Sequence, residues 1–474
     1  MTQPRQIYLL DPKILSPETI AVTFAKTSRS PLSFREIANE LSEEKSADFN
    51  EKWVVGYGHS SVAEHAVLHI AVENISRLAV ECLESNRLAS YTEKSSRYQI
   101  WDLDHFYIPA EVIKTPFESE YINICQRLFK SYLQAVPAVQ DYLAKTFPQQ
   151  TNESPAAFKQ RLRTCSVDVC RYYLPACALA NVGMSINARA LEHALRKMLS
   201  HPLEEVRQIG NEIKRVSQEN TPTLLKYADQ NEYIIRVREG FSKNNYLSDS
   251  NNNGSDWLQI VDSDADGEAR VLAALLLRFG EISYKQAFEK IKGLSQSEKE
   301  KLVDRFLGCL GEHDIPEREL EYSQITADIV LDQGAYFELK RHRMMTQTPQ
   351  RLSTRLGYAI PSLITEAGLL DQFIVDMEQV KKTYEDLYRF NPEAAVYIVP
   401  NAFNRRVLLQ MNLRSALHLT KLRSASNAHF SIRRVALRLA DEICQRYPLF
   451  SKCFSPTANE TWETISSQYF EKCS

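Results

Sequence analysis

Residues 341–358 read RHRMMTQTPQRLSTRLGY and have a weaker copy in residues 85–98, which read SNRLASYTEKSSRY. The later stretch keeps an Arg-His-Arg triplet at its start. The earlier stretch instead keeps a regular Ser-x-Arg-Tyr ending. Because each copy retains what the other has lost, the pair predicts a duplicated unit whose two copies contribute to one site.

The duplication extends on both sides of these stretches. In each half a helical region, with apolar residues at three- and four-residue spacing, precedes a β-like segment of branched apolar residues. A cationic helix, the Ser/Arg/Tyr turn, a turn ending in proline and a second helix follow in the same order. The matching pairs are 20–41 with 269–291, 66–72 with 325–331, 170–175 with 395–400, and helix starts at Asn187 and Asn412. This order predicts a tandem repeat.

A stretch rich in Asn, Ser, Asp and Gly separates the two copies at residues 243–256. These side chains compete with regular structure through local hydrogen bonds and tolerate left-handed backbone. We therefore expect a linker there, a first domain over residues 1–242 and a second over residues 257–474. The length of 474 residues suits two domains.

The composition excludes several classes of protein. A hydrophobic content of 44% with 25% charged residues is typical of a soluble globular chain, and a net charge of −3 disfavours a nucleic-acid partner. Nine cysteines without a C-x-x-C pair indicate reduced thiols. We find no signal core, no membrane-length apolar run, no glycine-rich dinucleotide motif and no metal motif of the H-E-x-x-H type. The sequence predicts a cytoplasmic protein without a bound metal, nucleic-acid partner or membrane partner.

Three polar constellations are candidates for chemistry. Arg341-His342-Arg343 concentrates charge within one helical turn, which suits an anion or a solvated basic face equally. Asn412 and Arg423 share one helix face if the helix is continuous, and Arg414 and His418 share another. Ser95-x-Arg97-Tyr98, preceded by Glu93, could hold a phosphate and a sugar hydroxyl, or could be a simple capping turn.

Taken together, these motifs resemble the flavin-dependent thymidylate synthases, whose hallmark is R-H-R-x-x-S-x-N-x-x-S-x-R-Y. The family pattern continues with an Arg before a Leu-Pro step, then N-x-R and a Leu-Arg pair, and this chain carries it twice. The resemblance implies an α+β (mixed α/β) fold: two tandem domains, each a curved, mostly antiparallel sheet with long flanking helices. It also implies FAD as cofactor, with dUMP, methylenetetrahydrofolate and NADPH as small-molecule substrates.

The resemblance implies that the second half supplies most of the flavin-binding side. Arg423 would be the catalytic residue that polarises the pyrimidine, and it would also bind the substrate. The residues implied in FAD binding are His59, Glu93, Arg341, His342, Arg343, Asn412, Arg414 and His418. The first half has Met198 at the position of Arg423, which cannot do the same electrostatic work.

The first half would supply the substrate-phosphate side. The substrate-binding residues implied by the resemblance are Glu93, Ser95, Arg97, Arg171, Arg341 and Arg423. In the family the two sides come from neighbouring subunits, so here they would come from the two halves of the sequence, either within one chain or across two chains. We expect a homodimer that forms a pseudo-tetramer.

Glu338 departs from the family pattern, because the family often has Gln near dUMP at its position, and Asn427 stands where the family has a late His. The main hypothesis is methylation of dUMP to dTMP at one composite site. The alternatives are a related flavin-dependent one-carbon transfer to another pyrimidine nucleotide, motivated by Glu338, and a non-catalytic flavin- or nucleotide-binding paralogue.

Overall fold

The structure is a computed structural model that describes residues 8, 10–27, 30–52, 60–242, 256–311, 313–455 and 460–471. The helices are α1 Pro17–Thr27, α2 Phe34–Glu40, α3 Glu43–Phe49, α4 Arg77–Leu83, α5 Glu118–Thr146, α6 Pro155–Cys170, α7 Ala188–Leu199, α8 Glu204–Gln218, α9 Glu232–Ser242, α10 Gly267–Phe279, α11 Tyr284–Gly293, α12 Gln296–Leu307, α13 Gln333–Leu339, α14 Ser362–Glu366, α15 Leu370–Phe390, α16 Pro392–Ala395, α17 Leu413–Ser424, α18 Phe430–Arg446, α19 Ser451–Phe454 and α20 Trp462–Tyr469. The strands are β1 Val67–Ser76, β2 Ala89–Glu93, β3 Leu179–Asn187, β4 Leu258–Ser263, β5 Gln324–Asp332, β6 Thr346–Pro349 and β7 Asn404–Asn412. The predicted α+β class is confirmed.

The chain divides into two compact units that do not follow the two halves of the sequence. The first unit comprises the described residues of Met1–Lys94, Phe106–Glu118 and Cys177–Asn251. The second comprises those of Ser95–His105, Ser119–Ala176 and Asn252–Ser474. The second unit therefore contains two segments from the first half of the sequence. Of the predicted linker, residues 243–255 lie outside the described residues, and the division at 243–256 stays a prediction.

The first unit is built on a three-stranded antiparallel sheet in the order β1-β3-β2. A polar side chain marks the start of the helix that follows each of two strands. Ser76 accepts a hydrogen bond from the Ala79 amide at the start of α4, and Asn187 accepts one from the Ala190 amide at the start of α7. These caps satisfy amides that have no partner inside the helix, so each strand ends sharply in a helix.

The second unit repeats this arrangement with an added edge strand, in the order β4-β5-β7-β6, again antiparallel. Alternate residues of β5 and β7 are buried in one apolar core. Asp332 caps α13 through the Ala335 amide, and Asn412 caps α17 through the Ser415 amide. The predicted helix starts at Asn187 and Asn412 are therefore confirmed.

Each of the two predicted N-terminal helical regions is two helices. Residues 20–41 contain α1 and α2, and residues 269–291 contain α10 and α11. Ser33 and Ser283 explain the second start in each region. Each forms a capping box with the residue three positions on, Glu36 or Gln286. The apolar spacing identified helical regions but could not show where a new cap begins.

The two repeated proline turns pair with each other inside the second unit. Pro175 and Pro400 form an antiparallel bridge. The Asn401 amide donates to the Leu174 carbonyl at 3.0 Å, and the Ala402 amide donates to the Tyr172 carbonyl at 3.1 Å. Arg171, three residues before Leu174, is thereby held against the second half of the sequence. In the part of the chain that the structure describes, we find no helix long and apolar enough to cross a membrane.

Candidate functional site

The Arg-His-Arg triplet follows a short helix and is not part of one. Helix α13 ends at Leu339, and residues 341–343 form the turn that leads towards β6. The expectation that the triplet lies within one helical turn is therefore wrong. The turn is fixed by the His342 amide, which donates to the Leu339 carbonyl at 3.0 Å, and by Gln347, whose Nε2 donates to the His342 carbonyl at 2.9 Å. As a result His342 is buried while Arg341 is exposed.

Arg97 and Arg171, both from the first half of the sequence, meet at Asp168 in the second unit. Arg97 binds Asp168 in a bidentate manner, with Nε and Nη2 each 3.0 Å from a carboxylate oxygen. Arg171 Nε lies 3.5 Å from Asp168 Oδ1, which the three-residue spacing at the end of α6 makes possible. Arg97 Nη2 also donates to the Asn427 carbonyl at 3.2 Å, so its guanidinium joins both halves of the sequence.

Glu338 is the centre of the ion-pair cluster. Its Oε2 lies 2.9 Å from Arg423 Nη1, and its Oε1 lies 3.6 Å from Arg171 Nη2 and 3.9 Å from Arg97 Nη1. The Glu338 side chain is only 7% exposed. A buried carboxylate is costly unless it is paired, and here three guanidinium groups compensate it. We call these five residues, Arg97, Asp168, Arg171, Glu338 and Arg423, the arginine cluster.

His342 fixes the orientation of Arg423. Arg423 Nε donates to His342 Nε2 at 2.9 Å, so His342 is neutral and its proton is on Nδ1. Burial, reinforced by the charge of Arg423 and by His418, lowers the pKa of His342 to about 3. Burial also lowers the pKa of Arg423, although Glu338 opposes this change. His342 is therefore a neutral imidazole that binds Arg423, and burial disfavours the charged form of this arginine.

Asp168 dominates the electrostatics of Arg97. Burial disfavours the charged form of Arg97, but the charge and hydrogen bonds of Asp168, with a smaller contribution from Glu338, outweigh it and raise the pKa of Arg97. The guanidinium is therefore a fixed positive charge over the whole working pH range.

His429 is a further member of the neighbourhood that the sequence reasoning missed. It caps α18 by accepting from the Ser431 amide at 3.2 Å, and its Nε2 lies 3.3 Å from the Asp168 carbonyl. Burial and, next, the charge of Arg171 lower the pKa of His429 well below its ordinary value, so it is neutral. The sequence has Asn427 where the family has a late His, whereas a histidine is present two residues further on. The cap position before Ser431 is the sequence signal that could have identified it.

Helix α17 carries three of the predicted site residues, Arg414, His418 and Arg423, and a fourth, Asn412, is its N-cap. The helix is continuous from Leu413 to Ser424, as the prediction about Asn412 and Arg423 required. Arg414 donates from Nε to the Pro316 carbonyl and from Nη1 to Glu321 Oε1, both at 2.8 Å. His418 is exposed, and its ring centre lies 5.5 Å from that of His342. Arg341 and Arg343 lie in the turn that follows α13. Together with Arg414 and His418 they provide hydrogen-bond donors and positive charge, which suit an anionic group such as a pyrophosphate.

Two predicted residues, Glu93 and Ser95, stand apart from the ion pairs of the cluster. His59 lies outside the described residues. Glu93 belongs to the first unit, where its buried carboxylate pairs with Arg77 at 3.2 Å. Ser95 belongs to the second unit, and its Oγ accepts from the Arg97 amide at 3.2 Å, which shapes the loop that carries Arg97. Ser95 therefore has the capping role that the sequence left open beside a ligand role.

The first unit has a cation next to the position where the sequence shows only the replacement of Arg423 by Met198. Lys197, the residue before Met198, donates from Nζ to Ser85 Oγ at 2.7 Å and to Asn86 Oδ1 at 2.9 Å. Ser85 and Asn86 are the counterparts of Arg341 and His342. Lys197 was missed because the repeat alignment places it at Leu422, one position before Arg423. Burial lowers the pKa of Lys197.

The fold and the cluster define a class: an α+β protein made of two related units, with arginines from both halves of the sequence gathered around buried carboxylates. Comparison with known proteins identifies the class further. The family model described as "Thymidylate synthase complementing protein" matches residues 11–223 and 259–449. The chain belongs to this family, the Thy1 family, also known as ThyX.

Relatives of two lengths match the chain. A UPF0159 protein of Chlamydia muridarum is 30% identical over 87% of this chain and 81% of its own length, and a UPF0159 protein of Thermoplasma acidophilum is 23% identical over 86% and 88%. A flavin-dependent thymidylate synthase of Clostridium tetani is 28% identical over 45% of this chain and 82% of its own length. The shorter relative thus corresponds to about one half of the chain, in keeping with tandem domains.

Proposed function

We propose that this protein is an FAD-dependent thymidylate synthase that transfers a methylene group from methylenetetrahydrofolate to dUMP and reduces it, giving dTMP at a composite site. The observation that carries the proposal is the arginine cluster. Arg97 and Arg171 come from the half of the sequence that lost the Arg-His-Arg triplet, and Arg423 comes from the half that kept it. The losses in the two copies fall on complementary sides of one site.

The proposed roles follow from where the charges lie. Arg423, oriented by His342 and Glu338, polarises the pyrimidine ring and stabilises negative charge that develops on it. Arg97, Arg171 and Arg341 bind the nucleotide on its phosphate and ribose side, with Ser95 and Glu93 nearby in sequence. Because Arg97, Arg171 and Arg423 are held in place by carboxylates, they act by positioning and electrostatics without a covalent nucleophile.

FAD, when bound and reduced by NADPH, would supply the electrons and mediate transfer of the one-carbon unit. The residues that would hold it are Arg341, His342, Arg343, Asn412, Arg414 and His418, with His59 and Glu93. The donor set supports this assignment because guanidinium and imidazole groups suit a pyrophosphate. Arg414 has Glu321 as a partner at present, so flavin binding would compete with this partly exposed ion pair.

The remaining parts of the proposal rest on the family. NADPH and methylenetetrahydrofolate are the proposed co-substrates, and a homodimer that mimics a tetramer is the proposed assembly. We also propose that the protein works in the cytoplasm. Glu338 is the observation that favours a second candidate, the same chemistry on another pyrimidine nucleotide. The UPF0159 names of the long relatives leave a non-catalytic flavin- or nucleotide-binding paralogue as a third.

Tritium release from [5-³H]dUMP tests the proposal directly, with FAD, NADPH and methylenetetrahydrofolate supplied. We expect release by the wild type and its loss in both Arg341→Ala and Arg97→Ala. Arg355→Ala is the matched control, because Arg355 is the second-half counterpart of Arg97 and pairs with the half-exposed Glu385 at 3.3 Å. This control should keep its activity. Absence of release from wild-type protein that binds FAD would contradict the dUMP assignment, and turnover of another pyrimidine nucleotide would support the second candidate.

A further inference from the structure

Glu338 changes the charge that the arginine cluster can offer a ligand. The cluster holds three guanidinium groups and two carboxylates, those of Asp168 and Glu338, while the adjacent His342 and His429 are neutral. One net positive charge therefore remains where the arginines alone would present three. An ionised phosphate ester carries nearly two negative charges, so the cluster is poorly matched to it.

One oxygen of Glu338 is placed to interact with a ligand. Oε1 is buried and has no hydrogen-bond partner among the described residues, because its ion pairs with Arg171 and Arg97 are 3.6 Å and 3.9 Å long. Arg171 Nε is likewise buried without a hydrogen bond in this part of the structure. An ionised carboxylate can only accept hydrogen bonds. The group that binds Oε1 must therefore be a donor, such as a hydroxyl or amino group, and a hydroxyl would also offer an acceptor to Arg171 Nε.

The first unit provides an internal comparison. The position equivalent to Glu338 is Cys82, and the positions equivalent to Arg341 and Arg423 are Ser85 and Met198. Burial raises the pKa of the Cys82 thiol to about 11, so this position carries no negative charge. The carboxylate is thus present in the copy that keeps Arg423 and absent from the copy that has Met198 there, as expected if it compensates Arg423.

We propose that Glu338 is a specificity-determining residue whose carboxylate is a built-in counter-anion for Arg97, Arg171 and Arg423. The cluster then disfavours a dianion. Within the proposed phosphate and ribose side, Arg97 and Arg171 therefore lie by a hydroxyl or amino group of the substrate, and the phosphate lies towards the exposed Arg341. This inference rests on the proposed function for the identity of the substrate. Its charge argument rests only on the arginine cluster.

Sulfate binding to the full chain, measured by calorimetry without flavin, folate or nucleotide, tests the charge argument. Sulfate is a dianion throughout the neutral pH range, so its own protonation does not interfere. We expect Glu338→Gln to bind sulfate at least about tenfold tighter than the wild type, because a like charge has been removed from the site. Glu385→Gln, which neutralises a half-exposed carboxylate of the same unit, is the matched control and should bind sulfate as the wild type does.

Equal or weaker sulfate binding by Glu338→Gln would overturn the proposal. If this variant unfolds because three arginines are left uncompensated, its recovery in sulfate, but not in chloride of equal ionic strength, would support the proposal. Failure to recover in sulfate would contradict it. A lack of tritium release by the wild type would end the proposed function without affecting the sulfate result, so the two failures are distinguishable.

Deoxyuridine, which lacks a phosphate, tests the selection of a donor. The side-chain amide in Glu338→Gln still offers an acceptor oxygen, whereas the thioether in Glu338→Met is at most a weak acceptor. We expect both variants to bind sulfate more tightly, but only Glu338→Met to bind deoxyuridine several-fold more weakly than the wild type. Equal deoxyuridine binding by the two variants would refute the donor selection.

Discussion

Arg423 and His342 are joined by a hydrogen bond of 2.9 Å from the guanidinium Nε to the imidazole Nε2. The two residues are 81 positions apart, one in the turn after α13 and one near the end of α17. The second arm of the guanidinium binds Glu338, so Arg423 is fixed on two sides. In the first unit, Lys197 binds Asn86 in the equivalent place, which shows that the turn retains a cationic partner even where the arginine is absent.

Replacing His342 should separate the positioning of Arg423 from its charge. His342→Phe keeps an aromatic ring, though a larger one, and removes the acceptor. Loss of a hydrogen bond to a charged group corresponds to a rate loss of roughly 10- to 100-fold. We expect tritium release to show this loss in kcat, with a smaller change in KM for dUMP, and His342→Gln to recover part of it. An identical loss in the Phe and Gln variants would argue against a positioning role.

Acid should destabilise the protein through His342. The unfolded chain binds a proton near pH 6.5, but burial lowers the pKa of the folded His342 to about 3. Protonation therefore favours unfolding as the pH falls below 6.5, and stability is fully present only above this value. The free energy of unfolding should fall by about 2 kcal/mol between pH 6.5 and 5 from this residue alone. Urea unfolding across this range measures the effect.

His342→Gln should make that decline shallower, since glutamine does not titrate. His105→Gln, at a half-exposed histidine of the same unit, serves as the control and should follow the wild-type profile. If the wild type and His342→Gln lose stability in parallel below pH 6.5, the acid sensitivity arises elsewhere, for example at the buried His429.

The sequence predicted the parts of the fold that depend on local pattern. The repeated strands and the helix starts at Asn187 and Asn412 follow from short-range periodicity and capping. The α+β class, also confirmed, is what the family resemblance implies. Complementary losses in the two copies also predicted that Arg97 and Arg171 belong with Arg423. Asp168 was missed because its importance comes from Arg97, 71 positions away, and no local pattern encodes that contact.

The difference between local patterns and contacts of distant residues also explains the wrong predictions. Periodicity could not show that α13 ends before the triplet. Lys197 lies one position before Met198, and His429 lies two positions after Asn427, where the family pattern predicts the functional residue. A functional side chain can move by one or two positions along a helix or cap and still make the same contact, because side chains of different length reach the same point. The residue then no longer aligns with the family motif.

Asp168→Asn should destabilise the second unit more than an ordinary surface change. Asp168 accepts two hydrogen bonds from Arg97 and lies beside Arg171 and His429. Removing its charge leaves two largely buried guanidinium groups with less compensation, and breaking such a pair costs about 3 kcal/mol. The free energy of unfolding in urea should fall by this amount.

Glu153→Gln is the geometric control for Asp168→Asn. Glu153 makes the same bidentate contact with Arg161, on helix α6, at 2.9 and 3.0 Å, but Arg161 is 33% exposed whereas Arg97 is 19% exposed. Solvent screens this pair, so its variant should lose much less stability. Equal losses in the two variants would mean that Asp168 has no special structural role.

Arg414 and Arg189 allow the proposed flavin site to be tested with a matched pair. They are equivalent positions of the repeat, each near the start of its helix, and each pairs with a glutamate, Glu321 or Glu64. The two copies therefore differ in their surroundings and not in this ion pair. Only Arg414 lies on the helix that also carries His418 and Arg423, beside the Arg341-His342-Arg343 turn.

We expect Arg414→Ala to bind FAD at least about tenfold more weakly, as removal of a charged phosphate contact implies. Arg189→Ala should keep both the affinity and a ratio of one flavin per chain, measured by flavin absorbance after gel filtration. If Arg189→Ala lost flavin as Arg414→Ala does, or if the wild type bound two flavins per chain, the first unit would hold a working flavin site and the complementary-loss argument would fail.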